Sequence, residues 1–163
     1  MVQHSGVPFT IFRPHNIYGP RMGLAHVIPE QLKKAFAASP GDAIPVFSPE
    51  HRRAFCFVDD AVEMLARMAF NDACQSATLN LGAERPEVSI RELAQMCVEV
   101  SGKRLTLDEH PPTPGSPARR APDMRTTAKL LDYEANVDLH EGIRRTWAWY
   151  LENVFKAGGL TAQ

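Results

Sequence analysis

Short apolar runs and longer amphipathic stretches alternate along the chain. The short runs favour β-strands because they are rich in β-branched and aromatic residues, and they lie at 7–12, 43–47, 53–58, 78–82 and 104–107. The first of them, VPFTIF, has no clean polar alternation, which is typical of a strand covered on both faces in a parallel sheet. The longer stretches predict helices at 23–39, 59–72, 89–102 and 139–155.

The stretch 89–102 has the clearest helix signals. Ser89 and Glu92 match the S-x-x-E capping box, in which each residue satisfies a free N–H group of the other at the start of the helix. Gly102 supplies the residue that ends the helix, because glycine adopts the left-handed conformation common there.

Two adjacent acidic residues, Asp59 and Asp60, begin the predicted helix 59–72. Carboxylates at this position cap free N–H groups and complement the positive end of the helix dipole. We therefore interpret the pair as a helix start, with general acid–base catalysis as the alternative.

The composition is that of one soluble globular domain. The chain has 163 residues, of which 44% are apolar and 23% are charged. Eighteen basic and nineteen acidic residues give a net charge of −1. This balance argues against general binding to nucleic acid or to a membrane surface, because both depend on a large positive field.

Neither targeting segments nor metal motifs are visible. No apolar run approaches the ~18–20 residues of a membrane span, and the first residues, MVQHSGVP, lack the regions of a signal peptide. Cys56, Cys74 and Cys97 are odd in number and show no metal spacing, and the six histidines show none either. We therefore predict a cytoplasmic protein with reduced thiols and no metal site.

The first polar cluster, RPHNIYGPRM, follows the first predicted strand. It contains Arg13, His15, Asn16 and Arg21. Ligands of open α/β sheets bind beyond the carboxyl ends of the strands, so this position favours a binding site. The alternative is an ordinary strand-to-loop turn with solvated charges.

Two further clusters contain paired arginines. Arg52 and Arg53 precede the third predicted strand, and Arg119 and Arg120 lie in the proline-rich loop 109–124. An arginine held by a strand presents a planar fork to phosphate oxygens, and a loop of this length is usually functional or disordered. The three clusters predict a site for a small phosphate-bearing molecule, with solubility as the alternative role of the loop pair.

Serine nucleophiles are not indicated. Neither Ser48 nor Ser116 has an evident base beside it in the sequence.

At these motifs the chain resembles the extended short-chain dehydrogenase/reductases, the family of NAD-dependent nucleotide-sugar epimerases, dehydratases and decarboxylases. RPHNIYGPRM resembles the family's R-x-x-N-x-Y-G-P segment, RAFCFVDDAV its R-x-F-x-x-V-x-D segment, and LNLGAERPEVSIRELA its N-x-G…S-I-x-E-L-A segment. The stretch 115–150 resembles the closing loop and two helices that complete the sugar-nucleotide pocket. The resemblance runs from about residue 2 to residue 155.

The resemblance implies an α/β fold made of the C-terminal remainder of a Rossmann-type doubly wound sheet and a small mixed α/β substrate-binding domain. Residues 1–22 would be the last part of the Rossmann-type domain, and 23–155 the nucleotide-sugar binding region, with short segments returning to the sheet. Residues 156–163 would form a tail.

The resemblance also implies site residues at the matched positions. Pro14 and His15 would run beside the nicotinamide of NAD. The substrate-binding positions would be Asn16, Arg21, His26, Val27, Pro29, Arg53 and, from the loop pair, Arg119 or Arg120. Epimerases often begin that loop with R-E-G-D, whereas this chain has TPGS at 113–116, which makes a galactose-type epimerase less favoured.

Two family motifs are absent from the sequence: the G-x-x-G-x-x-G loop for the NAD pyrophosphate and the catalytic Y-x-x-x-K pair. MVQHSG resembles the tail of the Y-x-x-x-K helix. We therefore expect the chain to be the substrate-binding half of an enzyme, inactive alone, with NAD bound by the complete enzyme, which the resemblance implies is a homodimer.

The expected partners are a UDP-sugar and either a missing N-terminal half or a second copy of the chain. The alternative function is a non-catalytic nucleotide-sugar binding module or a truncated remnant. Epimerisation, dehydration and decarboxylation all stay open.

Overall fold

The computed structural model describes residues 7–157. The interpretation of MVQHSG as a helix tail lies outside these residues, as does most of the predicted tail 156–163. The strands are β1 (Ile11–Pro14), β2 (Ile17–Tyr18), β3 (Ala43–Phe47), β4 (Arg52–Ala54), β5 (Cys56–Phe57), β6 (Thr78–Leu81), β7 (Glu87–Ser89), β8 (Thr106–His110) and β9 (Arg119–Arg120). The helices are α1 (Val27–Ala37), α2 (Val58–Ala69), α3 (Ile90–Ser101), α4 (Arg125–Leu131) and α5 (Leu139–Tyr150), with a 3₁₀ turn at Asp72–Cys74 and a π-helical turn at Leu151–Phe155.

Most of the strand pairs are parallel. β1 pairs with β6, β2 with β5 and β3 with β8, each in parallel. β4 lies between β9, which is parallel to it, and β7, which is antiparallel. Parallel partners are joined by long connections rather than hairpins, and α2 lies in the connection from β5 to β6, the partner of β1. The predicted mixed α/β class is confirmed.

The first strand differs from its prediction in position and in burial. It begins at Ile11 and not at residue 7, and all four of its residues are exposed. Ile11 is 48% exposed and Phe12 is 47% exposed. Within residues 7–157 β1 pairs with β6 alone, so no second neighbour covers its other edge. The prediction of a strand covered on both faces is therefore wrong for this chain as described.

Several other boundaries also shift. The predicted strand at 53–58 divides into β4 and β5, and the strand at 104–107 lies at 106–110. The sequence did not predict β7 or β9, because two or three residues show no periodicity. The predicted loop 109–124 therefore contains a strand that pairs with β4. The first helix begins at Val27 and not at residue 23.

The main core lies between α1, α3 and α5. Leu32, Leu93 and Ile143 are completely buried there, together with Tyr18 and Tyr150. The predicted capping box is confirmed, since Ser89 accepts from the backbone of Glu92 and the Glu92 side chain accepts from the backbone of Ser89. Gly102 ends α3 in the left-handed conformation, as predicted.

Asp60 does not cap its own helix. Its buried carboxylate accepts hydrogen bonds from the Tyr133 hydroxyl at 2.6 Å and from the backbone N–H groups of Asn136 (3.2 Å) and Val137 (3.0 Å). Asp59 is exposed. The pair therefore contributes charge to the first turn of α2 and anchors the segment before α5, and the predicted capping role is wrong.

The three cysteines are free and buried. Burial raises the pKa of the Cys56 thiol to about 12, so the thiol stays protonated at neutral pH. Within residues 7–157 no helix combines the length and apolarity needed to cross a membrane.

Candidate functional site

Two adjoining cavities lie beside the N-terminal end of α1. The first, which we call the His51 cavity, measures about 320 Å³ and is lined by Asn16, Val27, Glu30, Gln31, Phe47, Ser48, His51, Arg53, Phe55, Ile90, Thr113 and Ser116. The second, the Met22 cavity, measures about 340 Å³ and is lined by Pro14, Asn16, Ile17, Tyr18, Met22, His26, Val27, Ile28, Phe55 and Arg120. Asn16, Val27 and Phe55 line both cavities, so the two adjoin, and we refer to them together as the groove.

Two arginines lie side by side in this groove. Arg53 on β4 is the register partner of Arg120 on β9, and the first lines the His51 cavity while the second lines the Met22 cavity. Neither makes an ion pair with any carboxylate within residues 7–157. Burial and then the charge of Arg120 lower the pKa of Arg53 below its usual range. Two neighbouring cations without carboxylate partners favour an anion beside them.

The Arg53 guanidinium is held in place by the chain itself. Nη1 donates to the carbonyl of Arg52 at 2.7 Å, and Nη2 donates to the carbonyl of Pro117 at 2.6 Å and to Ser116 Oγ at 3.3 Å. The Nε–H group has no partner among the described residues. The fork is therefore fixed in orientation and keeps donor capacity for a ligand.

Asn16 is fixed at the junction of the two cavities. Its backbone has a positive φ of 44°, which asparagine tolerates better than most residues. Its Nδ2 donates to the Ala54 carbonyl at 2.9 Å, and its own carbonyl accepts from Cys56 N at 3.2 Å. Within the described chain its Oδ1 has no partner, so this oxygen is available as an acceptor at the centre of the groove.

The structure brings six of the predicted site residues into the groove, namely Pro14, Asn16, His26, Val27, Arg53 and Arg120. The other four lie outside its lining, namely His15, Arg21, Pro29 and Arg119. Pro29 is buried in the first turn of α1, and Arg21 is exposed in a turn with a φ of 66°.

The two loop arginines have different surroundings. Arg119 binds Glu87, with Nε to Oε2 at 2.9 Å and Nη2 to Oε2 at 2.8 Å. This contact raises the pKa of Arg119 and lowers the pKa of Glu87. Side chains on a strand alternate between faces, so Arg120 lies opposite Arg53 and away from Glu87.

The two predicted cofactor positions lie where β1 and β6 end. His15 N donates to the Leu81 carbonyl at 2.9 Å, and its ring Nε2 lies 3.3 Å from Asn80 Oδ1. A Cβ at Gly82 would lie 3.1 Å from His15, so a side chain there would crowd the two strand ends. The contact with Asn80 occupies one ring nitrogen of His15.

Pro14 and His15, the two predicted cofactor positions, differ in their relation to the groove. Pro14 lines the Met22 cavity, whereas His15 lies outside the lining of both cavities. Within residues 7–157, no group of histidine, cysteine or carboxylate side chains has the geometry to hold a metal ion.

Sequence reasoning missed the far wall of the His51 cavity. Ser116 Oγ lies 3.4 Å from His51 Nδ1 and also accepts from Arg53, so this serine has a histidine beside it in space. No third group among residues 7–157 orients His51, and the contacts tie the loop to β4. Ser116 and His51 are 65 positions apart in the chain, and a contact at that separation leaves no local signal in the sequence.

Gln31 also lines the His51 cavity and was not predicted to do so, although its spacing from Val27 could have indicated it. It follows Val27 by four residues on α1, and residues four apart lie on one face of a helix.

A family model described as the NAD dependent epimerase/dehydratase family matches residues 1–82. The chain belongs to this family. UDP-glucuronic acid decarboxylase 6 of Arabidopsis thaliana is 33% identical over 144 residues, which are 86% of this chain and 40% of that protein. The chain thus spans about 40% of the length of this curated relative.

Solved structures show the same fold. UDP-glucuronic acid 4-epimerase from Bacillus cereus, solved with UDP-glucuronic acid and NAD, superposes with a TM-score of 0.81 at 22% identity over 92% of this chain and 47% of that one. An epimerase from Methanothermobacter thermautotrophicus gives 0.83 at 26% identity over 93% of this chain and 45% of that one. The predicted Rossmann-type α/β fold is confirmed.

Proposed function

We propose that the chain is the substrate-binding half of an NAD-dependent nucleotide-sugar epimerase or dehydratase, and that it binds a UDP-sugar in the groove. The observation that carries this proposal is the Arg53–Arg120 register pair, of which one arginine lines each of the two adjoining cavities and neither has a carboxylate partner within residues 7–157. Two adjacent guanidinium groups match a diphosphate, which has two neighbouring anionic groups.

The two cavities suit the two ends of such a ligand. The His51 cavity has apolar walls from Val27, Phe55 and Ile90, which suit a flat nucleobase. The Met22 cavity extends toward Pro14 at the carboxyl end of β1, where the sugar would lie. The diphosphate would then lie between the two, beside Arg53, with Asn16 Oδ1 accepting a hydroxyl of the ligand.

The contribution of the chain to catalysis would be positioning. A fixed arginine pair and two walls hold the sugar in one orientation, and such positioning contributes several kcal/mol to catalysis when the reactive groups are present. In the complete enzyme NAD supplies the hydride acceptor. Because this sequence has neither the glycine-rich loop nor the Y-x-x-x-K pair, the chain alone would bind substrate without turning it over.

The partner that completes the site would be an NAD-binding N-terminal half, which would pair along the open edge of β1. The alternative is a nucleotide-sugar binding module that never meets such a half. Mixing the chain with a separately expressed N-terminal half of a UDP-glucuronic acid decarboxylase, and assaying loss of UDP-glucuronic acid, distinguishes the two. Activity supports the enzyme half, whereas binding without activity supports the module.

The binding proposal is tested by calorimetric titration with UDP-glucuronic acid. We expect weak binding to the folded wild-type chain, and a loss of about tenfold or more in Arg53→Ala, because a hydrogen bond to a charged group contributes ~1.5–3 kcal/mol. Arg144→Ala is the control, since Arg144 is exposed on α5 and binds Glu141. No heat of binding to a chain that circular dichroism shows to be folded would remove the proposal.

A further inference from the structure

Residues 113–118, which we call the strap, form part of the wall of the His51 cavity and are fastened at both ends. At the first end, Thr113 N donates to Ser48 Oγ at 2.9 Å. At the other end, the Ala118 carbonyl accepts from Arg52 N at 2.8 Å. Neither of these two anchors uses the side chain of an arginine in the groove.

The middle of the strap is held by the Arg53 guanidinium. Nη2 donates to the Pro117 carbonyl at 2.6 Å and to Ser116 Oγ at 3.3 Å. This nitrogen has two hydrogens, and the strap supplies an acceptor for each of them. The contact with Ser116 is the longer of the two and therefore the weaker.

These two contacts occupy the part of the arginine that a phosphate group needs. A phosphate binds a guanidinium with two parallel hydrogen bonds along one edge, either Nε–Nη2 or Nη1–Nη2. Both of these edges include Nη2. Because the strap already accepts from Nη2, a phosphate gains the two-bond contact with Arg53 only by displacing Ser116 or Pro117.

We propose that the strap competes with the diphosphate for Arg53, so that binding of the anion releases the middle of the strap from the guanidinium. This inference rests on the proposed function and deepens it, since it adds a regulation of the same site by the chain itself. The anchors at Thr113 and Ala118 hold the two ends, so the displacement is confined to the middle. The coupling is reciprocal, because a ligand that loosens the strap binds more tightly when the strap is already loose.

The direction of the change in Ser116→Ala separates competition from support. This variant removes the weaker competitor for Nη2 and leaves Arg53 in place. If the strap competes, the variant should bind UDP about threefold or more tightly than the wild type in calorimetry. If Ser116 instead positions the guanidinium for the ligand, the variant should bind UDP more weakly.

Two further ligands show where the gain arises. Inorganic pyrophosphate has the anionic groups alone, so Ser116→Ala should bind it more tightly by the same factor as UDP. Uridine lacks the diphosphate and should bind the variant and the wild type equally. Ser101→Ala is the matched control, because its hydroxyl also has two hydrogen bonds, with Val98 and Lys103, and lies outside the groove lining. It should leave all three affinities unchanged.

A second variant loosens the strap without a change beside Arg53. Ser48→Gly removes the acceptor of Thr113 N, and glycine adopts the φ of 57° at this position without strain. We expect it also to bind UDP more tightly than the wild type. Its failure to do so, together with a gain in Ser116→Ala, would contradict the displacement of the strap as a unit.

Hydrogen exchange followed by NMR measures the displacement directly. In the free chain Ser116 N donates to the Thr113 carbonyl at 3.1 Å, within the strap. UDP should accelerate exchange at the Ser116 amide, because a strap released from Arg53 opens more often. Unchanged or slower exchange there would show that the strap stays on the guanidinium when the ligand binds.

Failure of the inference is distinguishable from failure of the proposed function. A wild type that binds UDP, with no gain or a loss in Ser116→Ala, would overturn the competition and leave the proposed function intact. An equal gain for uridine would show that the strap restricts entry to the cavity and does not compete at Arg53. If the folded wild type and Ser116→Ala bind neither UDP nor pyrophosphate, the proposed function fails, and the competition fails with it.

Discussion

Arg53 and Arg120 are register partners on two parallel strands, and neither is paired with a carboxylate within residues 7–157. The preceding partners on the same two strands are Arg52 and Arg119, and both of these bind Glu87. One pair of arginines is therefore neutralised by the chain and the adjacent pair is not. The difference explains why an anion would bind on one face of this small sheet.

Charge reversal at positions 119 and 120 should give opposite results. Arg120→Glu places a carboxylate beside Arg53, so the melting temperature should stay the same or rise while UDP affinity falls about tenfold or more. Arg119→Glu places two acidic groups together at Glu87, so the melting temperature should fall while UDP affinity changes by less than about threefold. Thermal denaturation and calorimetry of both variants check this. Equal losses of affinity would show that the register does not decide which arginine binds.

This pair also marks where sequence reasoning stopped. The loop contains two adjacent arginines, and nothing in their order shows which one faces Arg53. The choice depends on the pairing of β9 with β4, which joins residues 67 positions apart and leaves no local pattern. The capping box at Ser89 was predictable, because both of its partners lie within one turn.

The same contrast holds for Asp60. Its position at a helix start favoured a capping role, since local rules give that answer for an acidic residue there. Its actual partners are Tyr133, Asn136 and Val137, more than 70 residues away. A long-range contact that satisfies two backbone N–H groups overrides the local preference.

Gly142→Ala should destabilise the chain although it lies inside a helix. A Cβ at Gly142 would lie 2.8 Å from Tyr18 Cζ and 2.9 Å from Phe57 Cδ2, and it would also meet the Tyr18 hydroxyl. Overpacking costs ~1–3 kcal/mol, whereas alanine gains at most about 1 kcal/mol in helix propensity. We therefore expect a loss of about 1–2 kcal/mol in the free energy of unfolding by urea.

The control for this prediction is Tyr18→Phe. Removing the hydroxyl takes away one of the clashing atoms, so Gly142→Ala should cost less in the Tyr18→Phe background than in the wild type. A Gly142→Ala chain as stable as the wild type would contradict the close contact.

Stability should decline at alkaline pH through Tyr133. Burial, followed by the hydrogen bond to Asp60, raises the pKa of Tyr133 from 10 to about 12. Between about pH 10 and about pH 12 the unfolded chain loses this proton and the folded chain keeps it, so folding stability falls as pH rises through that window. Below about pH 10 both forms are protonated and this contribution is complete.

Unfolding by urea at pH 9, 10 and 11 measures the effect. The pKa of Tyr18 is also raised, mainly by burial, so the wild type should show a decline from more than one tyrosine. Tyr133→Phe should be less stable at pH 9, because the bond to Asp60 is lost, and should decline less steeply above pH 10. Parallel curves for the two proteins would show that Tyr133 titrates normally.

The open edge of β1 should make the chain associate. Ile11 and Phe12 are half exposed on a strand that pairs with β6 alone within residues 7–157. An unpaired apolar strand edge is a template for a further strand, either from an NAD-binding half or from a second copy. At micromolar concentration we expect the chain to elute from a sizing column above its 18.1 kDa monomer mass.

Lysine on the edge should restore the monomer. Phe12→Lys places a charge on β1 that disfavours strand addition, so the eluted mass should fall toward 18.1 kDa and addition of an NAD-binding half should no longer give a complex. Val62→Lys removes an apolar side chain of α2 that is 59% exposed and lies outside β1, and it should leave the association unchanged. A wild-type chain that elutes as a clean monomer, and that an NAD-binding half does not shift, would show that the edge of β1 is closed by other means.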